Sequence, residues 1–403
     1  MRKYTIIATL LMTASLFLAG CQKDDTDFDE VIAEYEAQPD IDIRWDESAF
    51  NEEDDVPITD ENNEYYNDYV ENTDFSRSIT INYNGETATV EGTVSGVLVE
   101  TDGAHVSVTS AKGHVNYILT GNTSNGSFKV YSFNKFCITL NGVSITNPTG
   151  AAINNQCGKS CYLVLADGTT NNLADGPTYT EVELEDQKGV LFSEGQIIFS
   201  GKGSLNVTAT GKGAIVSDDY LRFRPGPHIS VTSSAGNGVK GKDAVFIDGG
   251  VLNIAVNAAG AKGINSEGQV AVRGGRTTVL NSGNSRIENT DTTTCAAIKA
   301  DSVLLISGGV LRLKASGEGG KGINCDRSIT MSGGDVAAVA TGKKDIGSPK
   351  GVKCDDTITV SGGSFYAYSA KAAPVDAAGG LTVSAPANTY VYVTKKRSVT
   401  IKF

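Results

Sequence analysis

The sequence is poor in the residues from which familiar active sites are built. Its three histidines, His105, His114 and His228, are far apart in the chain, and no serine or acid accompanies them in a hydrolase motif. A phosphate-binding loop is absent, and the glycine pairs do not form a dinucleotide-binding fingerprint. The sequence has no CxxC pair, so nothing in the cysteine spacing indicates a zinc site. These absences argue against the common hydrolase, nucleotide-dependent and zinc-dependent classes.

Helical periodicity is also absent, and a repeat takes its place. The unit is clearest in Gly322–Gly334, GINCDRSITMSGG, and six further segments align with it at intervals of 24 to 34 residues. Internal repeats of this length indicate a solenoid. The aligned segments are 190–202, 214–226, 238–250, 263–275, 297–309, 322–334 and 351–363.

Each repeat shows the alternation of short β-strands. Positions 8 and 10 are apolar, as in Ile329 and Met331, which marks one face of a strand. Position 2 is aliphatic and position 4 is mostly small, as in Cys325, which indicates the inward face of an earlier strand. A Gly-Gly pair then supplies a corner with positive φ, and a third strand follows, as in Val310–Lys314. We predict an all-β, right-handed parallel β-helix with three strands per coil of about 24 residues.

The first twenty residues have the pattern of a secretory signal. Two basic residues precede an apolar run over residues 6–18, which is too short to span a membrane. The run ends in LAGC, which resembles the bacterial lipobox; an ordinary signal with a chance cysteine is the alternative. We predict a lipoprotein signal peptide over residues 1–20 and a lipid on Cys21. This anchor, followed by an acidic QKDD stretch similar to a surface-export tag, predicts a position at the cell surface on the bacterial outer membrane.

The segment that follows is strongly acidic. Residues 22–75 include 21 acidic residues and two basic ones, whereas residues 76–403 carry a small positive net charge. A stretch so charged and so weakly periodic buries too little surface to offset the entropy cost of ordering it. We predict a flexible tether over residues 21–75, with docking of Tyr65 and Tyr66 as the alternative. The β-helix domain is predicted over residues 76–403, ending in a C-terminal cap.

The remaining cysteines allow two interpretations. Cys137 and Cys161 lie one coil apart, and Cys325 and Cys354 share position 4, so stacking can bring either pair to disulfide spacing in an exported chain. Small core fillers are the other interpretation, and the sequence leaves the disulfide state open. The set is completed by Cys157 and Cys295.

Charged residues gather along one edge of the predicted coils. Two insertions, Arg286–Thr294 and Lys343–Pro349, enter at the corner between the third strand and the next coil's first strand, where solenoids often place function. Acids and lysines that neutralise one another are one interpretation; a groove for a repeating anionic polymer is the other, with all corner lysines outside the core. The candidate ligand-binding residues are Lys240, Lys262, Lys299, Lys321, Lys350 and Lys353. The candidate calcium-binding residues are Asp301, Asp326 and Asp355.

Two segments resemble a known family. FCITLNGVSITNPTGAAIN from residue 136 and LADGTTNNLADGPTY from residue 165 look like the opening coils of a bacterial family of carbohydrate-binding β-helix domains. The resemblance covers residues 79–385 and implies a pectate-lyase-like β-helix that binds plant polysaccharides, including acidic ones, with calcium. Family coils commonly read Asp-Gly-Ile at the corner, where this chain has Lys321-Gly322-Ile323. The departure leaves Asp301, Asp326 and Asp355 as the calcium candidates.

Three classes of function remain. We predict a lipid-anchored, non-catalytic protein that binds acidic, uronate-containing polysaccharide, with membrane contact through its lipid only and no nucleic-acid partner. The single tryptophan, Trp45, lies outside the repeats, so the flat aromatic platform for crystalline neutral glycans is missing. A uronate-specific lyase is the first alternative, with Lys353 beside Asp326 and Asp355. A structural cell-surface adhesin is the second.

Overall fold

A computed structural model describes residues 54–384 and the backbone of residues 390–395 and 398–402. These residues form a right-handed parallel β-helix of about eleven turns, and no α-helix occurs among them. Each regular turn contributes three short strands separated by corners, so the strands of successive turns stack into three rows. The predicted fold class is confirmed.

The first row is a twelve-stranded sheet. Its strands are Val97–Asp102, Ala104–Ser110, Gly126–Ser132, Ile153–Asn155, Gly189–Ser193, Gly213–Ser217, Val239–Gly241, Lys262–Ser266, Ala296–Ala300, Lys321–Cys325, Lys350–Cys354 and Val375–Ala377.

The second and third rows belong to one larger sheet, because long strands cross both rows in the first turns. The long strands are Arg77–Asn84, Val115–Thr123 and Phe136–Asn147. The second row continues with Cys161–Leu165, Ile197–Gly201, Tyr220–Phe223, Ala244–Ile247, Gln269–Val272, Leu304–Ile306, Ile329–Met331, Ile358–Val360 and Leu381–Val383. The third row continues with Thr170–Asp175, Ser204–Ala209, His228–Ser233, Val251–Val256, Arg276–Asn281, Val310–Ala315, Asp335–Ala340, Ser364–Ser369 and Tyr390–Lys395.

The core lies where the repeat pattern predicts it. Ile329 and Met331 are buried, and Thr330 between them is exposed. Ile329 stacks in register on Leu304 and Ile358 of the neighbouring turns, so each turn buries its apolar face against the next. At the following corner Gly334 has φ of 88°, a conformation that a side chain would strain.

Antiparallel pairs close both ends of the stack. At the N-terminal end Arg77–Asn84 pairs with Thr87–Glu91, and Val97–Asp102 pairs with Ala104–Ser110. At the C-terminal end Tyr390–Lys395 pairs with the last described strand, Ser398–Lys402. This pair corresponds to the predicted cap, although Phe403 lies outside the described residues. Such caps cover the strand edges that an open solenoid exposes.

The cysteines of the described residues are free and buried. Cys137 and Cys161 occupy opposite faces of the second row, because Cys137 pairs with the outward Tyr162 and Cys161 pairs with Phe136. Cys325 and Cys354 are adjacent in register on the inward face. The Cys325 Sγ lies 3.2 Å from the carbonyl oxygen of Ser302, and burial raises the pKa of this thiol to about 11. The interpretation of small core fillers fits this arrangement.

The N-terminal strap, which we define as residues 54–75, differs from the predicted flexible tether. It includes the 3-10 turns Tyr66–Asp68 and Val70–Asn72 and packs on the outer face of the second row. Phe75 contacts the buried ring of Tyr162, with the ring centroids 5.3 Å apart. The prediction of a tether reaching residue 75 is therefore wrong for residues 54–75, because outward apolar side chains of the β-helix offer them a surface to bury.

Two buried arginines hold the strap by charge. Arg222 Nε lies 2.7 Å from Asp68 Oδ2, and Arg224 contacts Asp55 at 2.7 Å and Glu71 at 2.9 Å. Both arginines are at most 3% exposed. Arg222 also contacts Asp248 of the β-helix. The two acidic partners of Arg224 both lie on the strap, so losing them would leave an uncompensated buried charge, which is strongly unfavourable. The strap is therefore part of the folded unit.

Aromatic rings complete the contact between the strap and the β-helix. The guanidinium of Arg222 lies 4.3 Å from the ring centroid of Tyr65 on the strap and 4.4 Å from that of Phe246 on the next turn. Arg224 lies 4.1 Å from the ring of Tyr69. Burial raises the pKa of Asp68, against the hydrogen bond from Tyr220 and the charge of Arg222. The earlier part of the predicted tether, with Cys21 and Trp45, lies outside the described residues.

No helix in the described part of the chain has the length and apolar character that a membrane crossing requires.

Candidate functional site

The outer face of the first row forms a strip of charged side chains after residue 238. We define this charged strip by the outward residue of each of five successive turns and the charged residue two positions further along each turn. Its members are Lys240, Lys242, Asn265, Glu267, Lys299, Asp301, Asn324, Asp326, Lys353 and Asp355.

One column of the strip is set by the strand register. Lys240 pairs with Asn265, which pairs with Lys299; Lys299 pairs with Asn324, which pairs with Lys353. We call these five residues the lysine–asparagine column. Because neighbouring strands lie about 4.8 Å apart, successive lysines of the column are separated by roughly 9.6 Å along the axis.

Every lysine of the column has an acidic neighbour. Lys240 Nζ lies 2.7 Å from Glu267, and Lys353 Nζ lies 2.7 Å from Asp355. Lys299 contacts Asp301 at 2.8 Å and also contacts Asp326. Neither contact of Lys299 has the direction of a hydrogen bond, since its ammonium has no hydrogen-bond partner among the described residues. The strip is thus a ladder of opposite charges; the pairs of Lys240 and Lys353 are partly exposed and individually weak, whereas the Lys299 Nζ is buried.

The corner lysines differ from their predicted exposed positions. Lys321 is only 4% exposed, and its ammonium donates to the carbonyl oxygens of Gly319 and Ser348, both at 2.7 Å. Lys262 donates to the carbonyl oxygen of Gly260 at 2.7 Å. The prediction that all corner lysines lie outside the core is wrong for Lys321. Its long side chain folds back under the corner, where carbonyl groups need a donor, and it is closed to a ligand.

Lys350 is the third corner lysine. Its ammonium lies 3.0 Å from Asp376 of the following turn, and its side chain is 14% exposed. It therefore connects two turns, and the three corner lysines do not form a common cationic surface.

The buried position of Lys321 makes the unfolding free energy depend on pH, because burial changes the pKa of its ammonium group. Burial lowers the pKa of Lys321 from its usual 10.5 to about 8. Below pH 8 both folded and unfolded chains hold this proton, above pH 10.5 neither does, and between these values the unfolded chain holds more. We therefore expect the unfolding free energy of the wild type, relative to Lys321→Met, to rise with pH over this window by about 3 kcal/mol.

Urea unfolding of both proteins at several pH values measures this difference. Other titrating groups are common to the two chains and cancel in the subtraction. A difference that stays flat from pH 7 to pH 10.5 would contradict the buried position of the ammonium.

The two predicted insertions enter at one corner, as expected, and lie side by side. The first forms a hairpin of Arg286–Glu288 and Asp291–Thr293. A Cβ on Gly347 of the second insertion would lie 3.8 Å from Thr292 Cγ2 of that hairpin. Lys321, between them in the chain, fixes the second insertion through Ser348. The insertions therefore form one rigid rim beside the charged strip.

A third loop, residues 176–188, enters at the same corner and was not predicted from the sequence. Glu185 on this loop forms an ion pair with Lys129 at 2.7 Å, and the carbonyl oxygen of Asp186 accepts from Gln156 at 2.7 Å. The loop packs near the outward Phe192, which is fully buried. The loop covers the early turns of the first row, so the exposed part of this row lies in the later turns. The apolar outward residue Phe192 was the sequence signal for this cover.

The predicted calcium ligands do not form a metal cage. Asp301 and Asp326 both contact the ammonium of Lys299, and Asp355 contacts Lys353, so each carboxylate already faces a cation. Among the described residues, three carboxylates converge elsewhere, at Asp186, Glu194 and Asp218. The ammonium of Lys188 contacts two of those three. Both sets of carboxylates therefore have a lysine ammonium group beside them in this structure, and calcium binding stays a prediction.

The residues of the lyase alternative are only partly brought together. Lys353 contacts Asp355, but Asp326 faces Lys299. Of the two acids named for a lyase site, Lys353 therefore contacts only Asp355 among the described ion pairs.

A parallel β-helix with a charged strip along one face is a framework for binding an extended ligand. The chain belongs to the family of carbohydrate-binding domain-containing proteins, whose model matches residues 102–390. The predicted carbohydrate-binding β-helix family is thereby confirmed.

Two known proteins are similar to this chain. A carbohydrate-binding domain-containing protein of Acetivibrio thermocellus is 29% identical over 114 residues, which cover 27% of this chain and 40% of that protein. This chain therefore spans less than half the length of that relative. A solved structure, the gadolinium derivative of the polysaccharide lyase-like protein from C. thermocellum, has a TM-score of 0.45 and 22% identity. That match covers 77% of this chain and 99% of the other.

Proposed function

We propose that the protein binds an acidic, uronate-containing polysaccharide along the charged strip and does not cleave it. Family membership supports a polysaccharide partner. The observation that carries the acidic preference is the lysine–asparagine column, which repeats a lysine at every second turn along one face of the β-helix.

The ion pairs of the strip do not prevent this binding. The lysine side chains are 12 to 36% exposed, and their acidic partners are 41 to 49% exposed. The exposed pairs of Lys240 and Lys353 each contribute at most about 1 kcal/mol, so a uronate carboxylate can replace a side-chain carboxylate there at little cost. The Nζ of Lys299 is buried beside Asp301 and Asp326. Each contact is weak, and a long polymer gains affinity by making several of them at once.

Replacing the three column lysines tests this proposal. We expect K240A/K299A/K353A in the full chain to bind polygalacturonate roughly tenfold more weakly, because about 0.5 kcal/mol, a typical value for an exposed ion pair, is lost at each position. The matched control K112A/K159A/K202A removes three exposed lysines away from the strip and should bind like the wild type. Isothermal titration calorimetry at low and high salt measures both, and salt should weaken wild-type binding.

Other outcomes identify other functions. Equal losses in both triple variants would assign the binding to overall charge instead of the strip. Steady formation of unsaturated product that disappears in Lys353→Ala would identify a lyase. A folded wild type that binds no polysaccharide would favour the adhesin.

The proposal includes a lipid anchor on Cys21 at the outer membrane. The lipobox-like LAGC sequence supports this anchor. We expect Cys21→Ser to move the protein from the membrane fraction to the soluble fraction after cell lysis. Retention of the variant in membranes would remove the lipid anchor from the proposal.

A further inference from the structure

The lysine–asparagine column alternates strictly over five turns. Lysine occupies the first, third and fifth turns, and asparagine occupies the second and fourth. All five residues are in register in one parallel sheet, so their order along the axis follows from backbone pairing and not from side-chain placement. The column therefore has a period of two turns, or roughly 9.6 Å.

The residues two positions after each column residue in the sequence also differ in charge between the lysine turns and the asparagine turns. The asparagine turns carry Glu267 and Asp326 there, so each of these turns has a net charge of −1 at the two positions. The lysine turns carry Lys242, Asp301 and Asp355, so they are neutral or positive. At these two positions the asparagine turns therefore repel an anionic group, whereas the lysine turns are neutral or, at Lys240 and Lys242, attract it.

The asparagine side chains supply uncharged hydrogen-bonding groups between the charges. Asn265 is half-buried. Asn324 is 6% exposed, its Nδ2 lies 3.4 Å from Thr294 Oγ1, and its Oδ1 has no hydrogen-bond partner within the described residues. An amide both donates and accepts, which suits sugar hydroxyl groups and not a carboxylate.

We infer that the ligand is a linear polysaccharide with one carboxylate per disaccharide, lying parallel to the β-helix axis. This inference rests on the proposed function. One pyranose of an extended chain adds a length of the same order as the strand spacing of about 4.8 Å, so successive sugars can lie over successive turns. Alternate uronates then lie over the turns of Lys240, Lys299 and Lys353, and neutral sugars lie over the turns of Asn265 and Asn324.

A polymer with a carboxylate on every residue fits less well. Every second carboxylate would lie at an asparagine turn, beside Glu267 or Asp326, without a lysine of its own. Like charges placed opposite one another in a sheet are unfavourable. The strip therefore selects against homopolymeric uronates by repulsion as well as for alternating ones by attraction.

Binding of the full chain to three soluble polymers tests the inference. The probes are hyaluronan, which alternates uronate with a neutral sugar, polygalacturonate, which carries a carboxylate on each residue, and neutral hydroxyethyl cellulose. We expect hyaluronan to bind about fivefold more tightly than polygalacturonate, a factor that corresponds to the upper contribution of one exposed ion pair. We expect no binding of the neutral polymer.

A gain-of-function variant separates charge period from linkage chemistry. Asn265→Lys gives the second turn a cation, so it should shift the affinity ratio toward polygalacturonate by about threefold or more. Asn206→Lys, at an exposed position of the third row, is the matched control and should leave the ratio unchanged. Thermal unfolding and circular dichroism confirm that both variants are folded.

The outcomes distinguish the inference from the function on which it rests. Absence of binding to either acidic polymer overturns the proposed function, and the inference with it. Binding of both polymers with equal affinity, or a ratio that Asn265→Lys leaves unchanged, overturns the inference alone. Tighter binding of polygalacturonate than of hyaluronan overturns it as well.

Discussion

A chain that begins at residue 76 is expected to be much less stable than one that begins at residue 54. Removing the strap exposes the outward rings and aliphatic side chains that it covers, such as Tyr162 and Ile198, both fully buried. It also removes both acidic partners of Arg224 and one of the two acidic partners of Arg222, which keeps Asp248. Burial of two large side chains alone corresponds to about 5 kcal/mol.

Thermal and urea unfolding of the two truncated chains measure this effect. The chain from residue 54 is the control, because it keeps all described strap contacts and lacks only the preceding residues. Limited proteolysis of the full protein should stop before residue 54 and leave residues 54–75 attached. Equal stability of the two truncated chains would show that the strap does not belong to the folded unit.

Ile329→Asp is expected to destabilise the β-helix by about 3–5 kcal/mol, because it buries an unpaired carboxylate in the core. Ile329 is 1% exposed and stacks between Leu304 and Ile358, so no solvent reaches the new charge. The free energy of unfolding in urea is the measurement.

The neighbouring residue provides the control for this substitution. Thr330 is exposed on the opposite face of the same strand, so Thr330→Asp should change stability by less than about 1 kcal/mol. The pair differs by one position in the strand and shares the same turn and charge change. Similar losses in both variants would mean that the inward and outward faces have been assigned incorrectly.

The repeat alone predicted the inward residues of the later turns. Ile329, Met331 and Cys325 are buried as expected because a strand alternates its faces with a period of two, whatever its neighbours are. The corner that receives both insertions was also predicted, since each insertion interrupts the same step of the repeat. These features depend only on residues close together in the chain.

The strap could not be placed from sequence pattern in this way. Its acidic composition indicated a solvated tether, and its partners lie about 150 residues away in the chain. A signal was nevertheless present at the outward position of the second row. That position holds Tyr162, Ile198 and Phe246 in the covered turns, but Thr330 and Thr359 in the open ones.

For the charged strip, too, part of the arrangement follows from the sequence and part follows only from the tertiary structure. The sequence determined which turns carry lysine and which carry asparagine, because position in the repeat dictates the row and the face. Only the tertiary structure decided which lysines are open to a ligand. Lys321 turns inward to two carbonyl oxygens, whereas Lys240 stays on the surface beside Glu267. A lysine side chain is long enough to contact groups on neighbouring turns and insertions. Which of these groups lie near it depends on how the turns stack, and the repeat pattern does not contain that information.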